Sequence, residues 1–184
     1  TKIDVIRDEA TIANYSHIVL PGVGAFGHSI EGLRSIPDMI AAMEREVVEK
    51  HKPFLGICVG MQILADKGYE LGIHQGLGWI KGEIKPIDQI VHNNNLTLPH
   101  MGWNELQIKH PHIPLLKNVE DKAHAYFVHS YCFVCASKDN IVATVDYEGE
   151  IPALIAQDNI FATQFHPEKS SVAGMQILQN FVEL

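Results

Sequence analysis

The sequence predicts an α/β domain with a mixed sheet. Three patterns carry that prediction. Short apolar runs alternate with helical periodicity at the front, a run of strand candidates follows from Ala125 to Phe165, and an amphipathic helix closes the chain. Lys2 to Ile6 reads as a short strand, and Asp8 as the cap of a brief helix over Ala10 to Asn14. Ile18 to Leu20 is a buried strand ending at the glycine-rich Pro21-Gly22-Val23-Gly24, and Gly27 to Leu33 is a helical turn or two. Ser35-Ile36-Pro37 starts a stronger helix with Pro37 at its first position, and apolar residues recur at helical spacing through His51. Pro53 to Ile57 is a strand and Val59 to Ala65 the helix after it.

The middle, from Gly68 to Pro99, is glycine-rich, with small strands near Trp79-Ile80 and Glu83-Ile84. Trp103 to Ile108 follows as a further strand, and Ala125 to Cys135 as the longest. Ile141 to Tyr147, Pro152 to Gln157 and Ile160 to Phe165 come next, with Asp158-Asn159 as a two-residue hairpin link. Ser171 to Val182 is the closing helix. There is no internal repeat, and 184 residues suit one domain spanning 1–184.

Bulk properties exclude several classes. The net charge is -8, with no lysine or arginine block, which argues against nucleic-acid binding. No apolar run is long enough for a membrane span, and no signal-peptide pattern opens the chain. Three cysteines do not form a disulfide framework, so a reducing cytoplasm is expected. Cys132-Phe133-Val134-Cys135 lacks the second half of a zinc site, and on a strand its two thiols point to opposite faces. His110-Pro111-His112 reads as loop. No metal and no cofactor is expected.

The chemistry concentrates at Gly56-Ile57-Cys58-Val59-Gly60 and at His166-Pro167-Glu168. A strand, a glycine-flanked nucleophile and a helix make a sharp elbow that exposes one side chain at the end of a sheet. The glycines remove Cβ clashes in such a turn, and the helix dipole is expected to lower the pKa of Cys58. A thiol needs a base, and the base an orienting group. His166 and Glu168, two apart, supply them if both point the same way from a strand end. Separately, Cys58 could be an inert buried thiol and His-Pro-Glu a solvated loop; together, and in this order, they favour a triad for acyl transfer through a thioester. The oxyanion donors expected are the N–H of Val59 and one from the Gly22-Val23-Gly24 turn. A plain tight turn is the competing description of that loop.

Pro21-Gly22-Val23-Gly24-Ala25-Phe26-Gly27, Gly56 to Gln62 and Gln164 to Ser170 together resemble the class I, triad-type glutamine amidotransferases. Pro99-His100-Met101-Gly102-Trp103-Asn104 and Tyr126 to Tyr131 narrow the resemblance to the glutaminase subunits of imidazole glycerol phosphate synthases. The resemblance spans essentially the whole chain. It implies a three-layer fold, with a mostly parallel mixed sheet flanked by helices and a nucleophile elbow. It also implies hydrolysis of glutamine and a heterodimer with a (β/α)8-barrel cyclase subunit that consumes the ammonia. The cyclase products would be imidazole glycerol phosphate and an aminoimidazole carboxamide ribonucleotide, in histidine biosynthesis.

Carried over residue by residue, Gln62 and Glu70 would hold the amino-acid head of glutamine, Ser130 and Tyr131 its carboxylate, and Gly22 the loop over it. Val23 and Gly24 would complete the oxyanion hole with Val59. His100, Met101, Trp103, Tyr126 and Lys169 would face the cyclase, with core packing the competing role for Trp103 and Tyr126. Family members usually begin with one more strand and helix, whereas this chain begins at the next strand, an arrangement expected to leave two unpaired strand edges. A stand-alone cysteine hydrolase of the same fold, a non-catalytic regulatory subunit and a glutaminase subunit of another amidotransferase are the other functions such a chain could have. Retention of Cys58, His166 and Glu168 speaks against the second.

Overall fold

Phe54–Cys58 is buried at every residue, as an apolar run with a neighbour on each edge must be, and it forms the second strand in the order of the main sheet. The computed structural model describes residues 2–91 and 96–184. Its strands are β1 (Ile18–Gly22), β2 (Phe54–Cys58), β3 (Lys67–Gly68), β4 (His74–Gln75), β5 (Gly82–Pro86) and β6 (His100–Ile108). β7 (His124–His129), β8 (Tyr131–Cys135), β9 (Ile141–Asp146), β10 (Glu150–Gln157) and β11 (Ile160–Thr163) follow. The α-helices are α1 (Phe26–Arg34), α2 (Met39–Met43), α3 (Val59–Gln62) and α4 (Ser171–Val182).

The main sheet runs β1-β2-β11-β10-β9-β6-β7, and a second sheet runs β4-β3-β5-β8. The fold is α/β with a mixed sheet, as expected, but the parallel share is smaller. Among the described residues of the main sheet only β1–β2 and β2–β11 pair in parallel, while β11–β10, β10–β9, β9–β6 and β6–β7 are antiparallel; in the second sheet β3–β5 is parallel. The reason is connection length: Asp158-Asn159 joins β10 to β11 and Tyr147 to Gly149 joins β9 to β10, links too short for a parallel crossover.

Several local expectations are corrected. Lys2 to Ile6 forms no strand; Ile3 and Val5 are exposed, and a strand needs a ladder partner that the described residues do not offer it. Asp8 does not cap a helix: it accepts the N–H of Thr11 at 3.1 Å, and Thr11 is itself the N-cap, without a side-chain cap bond, of a 3-10 turn over Ile12–Asn14. The helix expected from Pro37 begins instead at Met39, because Asp38 takes a left-handed conformation at φ +54°. It then widens into a π-helical segment, Glu44–Glu49. The wide turn buries Glu46, whose carboxylate pairs with Lys50 and Lys52, each at 2.8 Å; these hydrogen bonds hold its pKa down to about 2. Asn159 takes up the carbonyls of Val47 and Lys52 at 2.9 and 2.7 Å, which braces the entry to β2.

Trp79-Ile80 is apolar because it is core, with Trp79 set edge-on to Phe54, and it pairs in no ladder. The segment also ends α3 early. The N–H groups of Leu77, Gly78 and Ile80 capture the carbonyls of Ile63, Ala65 and Leu64, which a longer helix would have used. Ala125 to Cys135 is two strands, not one. β7 pairs with β6 and β8 with β5, so the chain changes sheet at Ser130. Cys132 and Cys135 are free thiols pushed up to about 12 by burial, and so unreactive.

Candidate active site

Cys58 is the hinge of the elbow. It has φ +55° and ψ −111°, a conformation that costs a β-carbon residue about 1–3 kcal/mol. Close approach explains the flanking glycines. A Cβ on Gly60 would land on the Leu20 carbonyl oxygen of β1, and one on Gly56 would sit 2.6 Å from the Gly60 oxygen. The elbow is thus pressed between β1 and its own strand. The thiol is 5% exposed. Burial pushes its pKa up; the Val59 N–H on the sulfur and the Lys169 charge pull it down, and the Glu168 carboxylate adds to the rise. The expected lowering by a helix dipole is therefore overturned: α3 has only four residues, and burial outweighs it.

β11 lies parallel to β2 with Thr163 opposite Ile57, so the residues just past β11 emerge beside Cys58. His166-Pro167-Glu168 enters a 3-10 turn over Pro167–Lys169 there. The turn is clamped: His166 N–H donates to the Tyr126 carbonyl at 3.0 Å, and the Ser170 hydroxyl donates to the His166 carbonyl at 2.6 Å while accepting the Tyr126 N–H at 3.0 Å. Glu168 Oε1 lies 2.9 Å from His166 Nδ1. A carboxylate only accepts, so Nδ1 carries a proton, and in the neutral ring Nε2 is the nitrogen left free to act as base. That Nε2 is buried and has no hydrogen-bond partner among the described residues. The thiol makes no hydrogen bond to it. Instead the sulfur receives Gln164 Nε2 at 3.8 Å, a contact assigned no role from the sequence, although Gln164 is part of the His-Pro-Glu segment.

Of the other expected residues, Gly22 lies beside the elbow, so close that a Cβ would stand 2.9 Å from Gly60 N and 3.0 Å from Val59 Cβ. Gly24 has φ +102°, open to glycine and strained for any other residue, and Val23 between them is exposed. Glu70 Oε2 accepts the N–H of Phe26 at 2.7 Å, at the start of α1. Gln62 is buried and donates to Gln164 Oε1 at 3.1 Å and to the Tyr131 carbonyl at 3.4 Å. Ser130 stands at the break between the sheets, its carbonyl accepting the N–H of Ile87. Burial, with the Glu70 and Asp88 carboxylates, raises the phenol of Tyr131.

Met101 and Trp103 are 61% and 53% exposed, Trp103 meets half-buried Tyr126 edge-on at 5.9 Å, and Lys169 is exposed. Core packing is thus excluded for Trp103. His100 departs from the interface expectation: it is 2% exposed, stacked between Phe127 and Tyr147. Its Nδ1 lies 3.0 Å from His129 Nε2, and His129 Nδ1 donates to the Tyr131 carbonyl at 2.8 Å. That last bond fixes the tautomers: His129 accepts at Nε2, so His100 donates from Nδ1.

Both imidazoles are held neutral, pushed down to about 4 by burial. A depressed histidine contributes stability that is whole above its unfolded value of 6.5 and lost as pH falls toward 4. His129 alone should cost about 2–3 kcal/mol between roughly pH 7 and pH 4.5. Urea unfolding at the two pH values should show that loss, and His129→Gln should remove most of it. A flat profile would contradict the neutral pair.

The family model for class-I glutamine amidotransferases matches residues 1–184. The imidazole glycerol phosphate synthase subunit HisH of Zymomonas mobilis is 48% identical over 166 residues, 90% of this chain and 75% of the relative. The HisH subunit of Rhodospirillum rubrum is 44% identical over 98% of this chain and 84% of its own length. Among solved structures, PurLQS from Thermotoga maritima superposes with a TM-score of 0.70 at 22% identity, over 94% of this chain and 81% of that one, a likeness of fold. A family match along the whole chain, and relatives this similar across nearly all of it, establish that the chain belongs to the class-I glutamine amidotransferases, within the HisH subunits of imidazole glycerol phosphate synthase.

Proposed function

We propose that the chain hydrolyses glutamine to glutamate and ammonia through a thioester on Cys58, and hands the ammonia to a cyclase subunit of (β/α)8-barrel form within a heterodimer of histidine biosynthesis. The observation that carries the reading is the buried, unpartnered Nε2 of His166, whose Nδ1 is held by Glu168 beside the Cys58 elbow. Nε2 takes the proton of the thiol, and the sulfur attacks the side-chain amide carbon. The C–S bond forms as the carbonyl becomes an oxyanion facing the Val59 N–H and an N–H of the Val23-Gly24 turn. Collapse breaks the C–N bond, and His166 gives its proton to the departing ammonia. Water then cleaves the thioester and releases glutamate.

Glu70 balances the substrate ammonium through the oxygen that does not cap α1, while Gln62, Ser130, Tyr131 and Gly22 enclose the rest of the amino-acid head. Met101, Trp103, Tyr126 and Lys169 form the face toward the cyclase, with His100 as support behind it. Passage of ammonia inside the complex keeps it unprotonated, so it remains a nucleophile. A reducing cytoplasm suits the thiol chemistry, and no described helix is long and apolar enough to cross a membrane.

Hydrolysis without an acceptor would waste ammonia. The Gly22-Val23-Gly24 turn is the switch in this reading, a peptide flip exchanging a carbonyl for the second oxyanion donor. One such donor is worth about 10²–10³ in rate. A glutaminase assay tests all of this. The chain alone should turn over slowly, and the complex with a ligand-loaded cyclase faster by about that factor. Equal rates would refute the switch, and no hydrolysis in either would refute the glutaminase.

A further inference from the structure

Gln164 is fully buried, yet the triad and the expected substrate set make no use of it. Its place follows from the ladder: Thr163, the last residue of β11, stands opposite Ile57, so Gln164, just past the strand end, comes out beside Cys58. The amide nitrogen of Gln164 donates to Cys58 Sγ at 3.8 Å. Its oxygen accepts from Gln62 Nε2 at 3.1 Å, and the same Gln62 nitrogen donates to the Tyr131 carbonyl at 3.4 Å.

The polarity of this chain of contacts is not free to reverse. A backbone carbonyl can only accept, so Gln62 must turn its NH₂ toward Tyr131. That nitrogen then requires an oxygen from Gln164, and Gln164 is left with its NH₂ toward the sulfur. A backbone atom two contacts away thus dictates that a donor, never an acceptor, faces the thiol. The Tyr131 carbonyl is itself held by the second donor aimed at it, His129 Nδ1 at 2.8 Å.

A donor on sulfur favours thiolate over thiol. It opposes the desolvation of a buried thiol and the repulsion of the nearby Glu168 carboxylate. We infer that Gln164 is a further catalytic residue, oriented by Gln62 and the Tyr131 carbonyl, whose amide N–H stabilises the thiolate of Cys58. The step it assists breaks S–H, forms N–H on His166 Nε2, and leaves the electron pair on sulfur. This rests on Cys58 being the nucleophile of the proposed function.

The test is the pH dependence of Cys58 alkylation by iodoacetamide in the full chain, read by mass spectrometry of the peptide that contains it. Gln164→Met keeps the size and removes the donor. It should move the midpoint up by about one pH unit and slow alkylation near pH 7.5 about tenfold. Gln62→Met, which releases the amide from its fixed orientation, should shift the midpoint the same way by less. Circular dichroism and thermal unfolding report whether each variant folds; if Gln164→Met does not, Gln62→Met decides. A folded variant with the wild-type profile overturns the inference. A wild-type Cys58 that alkylates no faster than Cys135 defeats the nucleophile itself, and this inference with it.

Discussion

Cys58→Ala should abolish glutamine hydrolysis, by on the order of 10⁴-fold or more, because no other group near the elbow can form the thioester. The same variant, in complex with a cyclase subunit, should make product from added ammonia at the wild-type rate. The division follows from position: Cys58 is buried at the edge of β2, whereas the candidate docking residues Met101 and Trp103 lie on β6, and removing one sulfur disturbs neither strand. The paired assays, glutamine-dependent and ammonia-dependent, separate chemistry from assembly. Loss of both reactions while the complex still forms would refute the two-subunit division of labour.

Gly60→Ala should be strongly damaging, its added Cβ making the closest approach to another atom of any glycine in the chain. Its Cβ would fall on the Leu20 carbonyl oxygen and 3.0 Å from the Leu20 carbonyl carbon, both main-chain atoms of a paired strand that cannot turn aside like a side chain. Alanine's gain in helix propensity is at most about 1 kcal/mol. Overpacking of this kind costs about 3 kcal/mol, so the clash wins. We expect Tm to fall by roughly 5–10 °C and glutaminase activity to fall with it, since relief requires α3 to move off β1 and Cys58 sits at its start. Gly32→Ala in α1 is the control: no atom lies within 4 Å of the added carbon, and stability should hold or rise. A Gly60→Ala protein as stable and active as wild type would show that the close approach to β1 does not hold the elbow.

How much of this was legible in the residues depended on whether a feature is local. The buried β2, the glycine turn after β1, the hairpin at Asp158-Asn159 and the closing helix α4 all carry their signal within a few residues, and all are present, with β2 shifted by one residue and β1 running on through Gly22. What failed needed knowledge of a partner. Lys2 to Ile6 alternates like a strand but has no ladder, and Trp79-Ile80 is apolar through contact with Phe54. Ala125 to Cys135 has uniform strand composition, and only the competing edges of β6 and β5 break it at Ser130. The site divides the same way. His166 and Glu168 were readable because they are two apart, whereas the place of Gln164 depends on register between β2 and β11, which no local pattern reports. The dipole effect expected on Cys58 failed because α3 ends at Gln62, its carbonyl partners taken by a segment fifteen residues on.

The parallel pairing of β2 with β11 has a consequence for how such a domain can vary. More than a hundred residues separate Cys58 from His166 along the chain, including the whole small sheet, yet two adjacent strands ending at one edge set their spacing. Everything between is a detour that leaves from one strand and returns to its neighbour. Lengthening or trimming that detour changes what surrounds the thiol and which surfaces are offered to other molecules, while the ladder keeps the spacing of the reacting groups. Chemistry is keyed to a register here, so loops and recognition can diverge without the nucleophile and its base drifting apart.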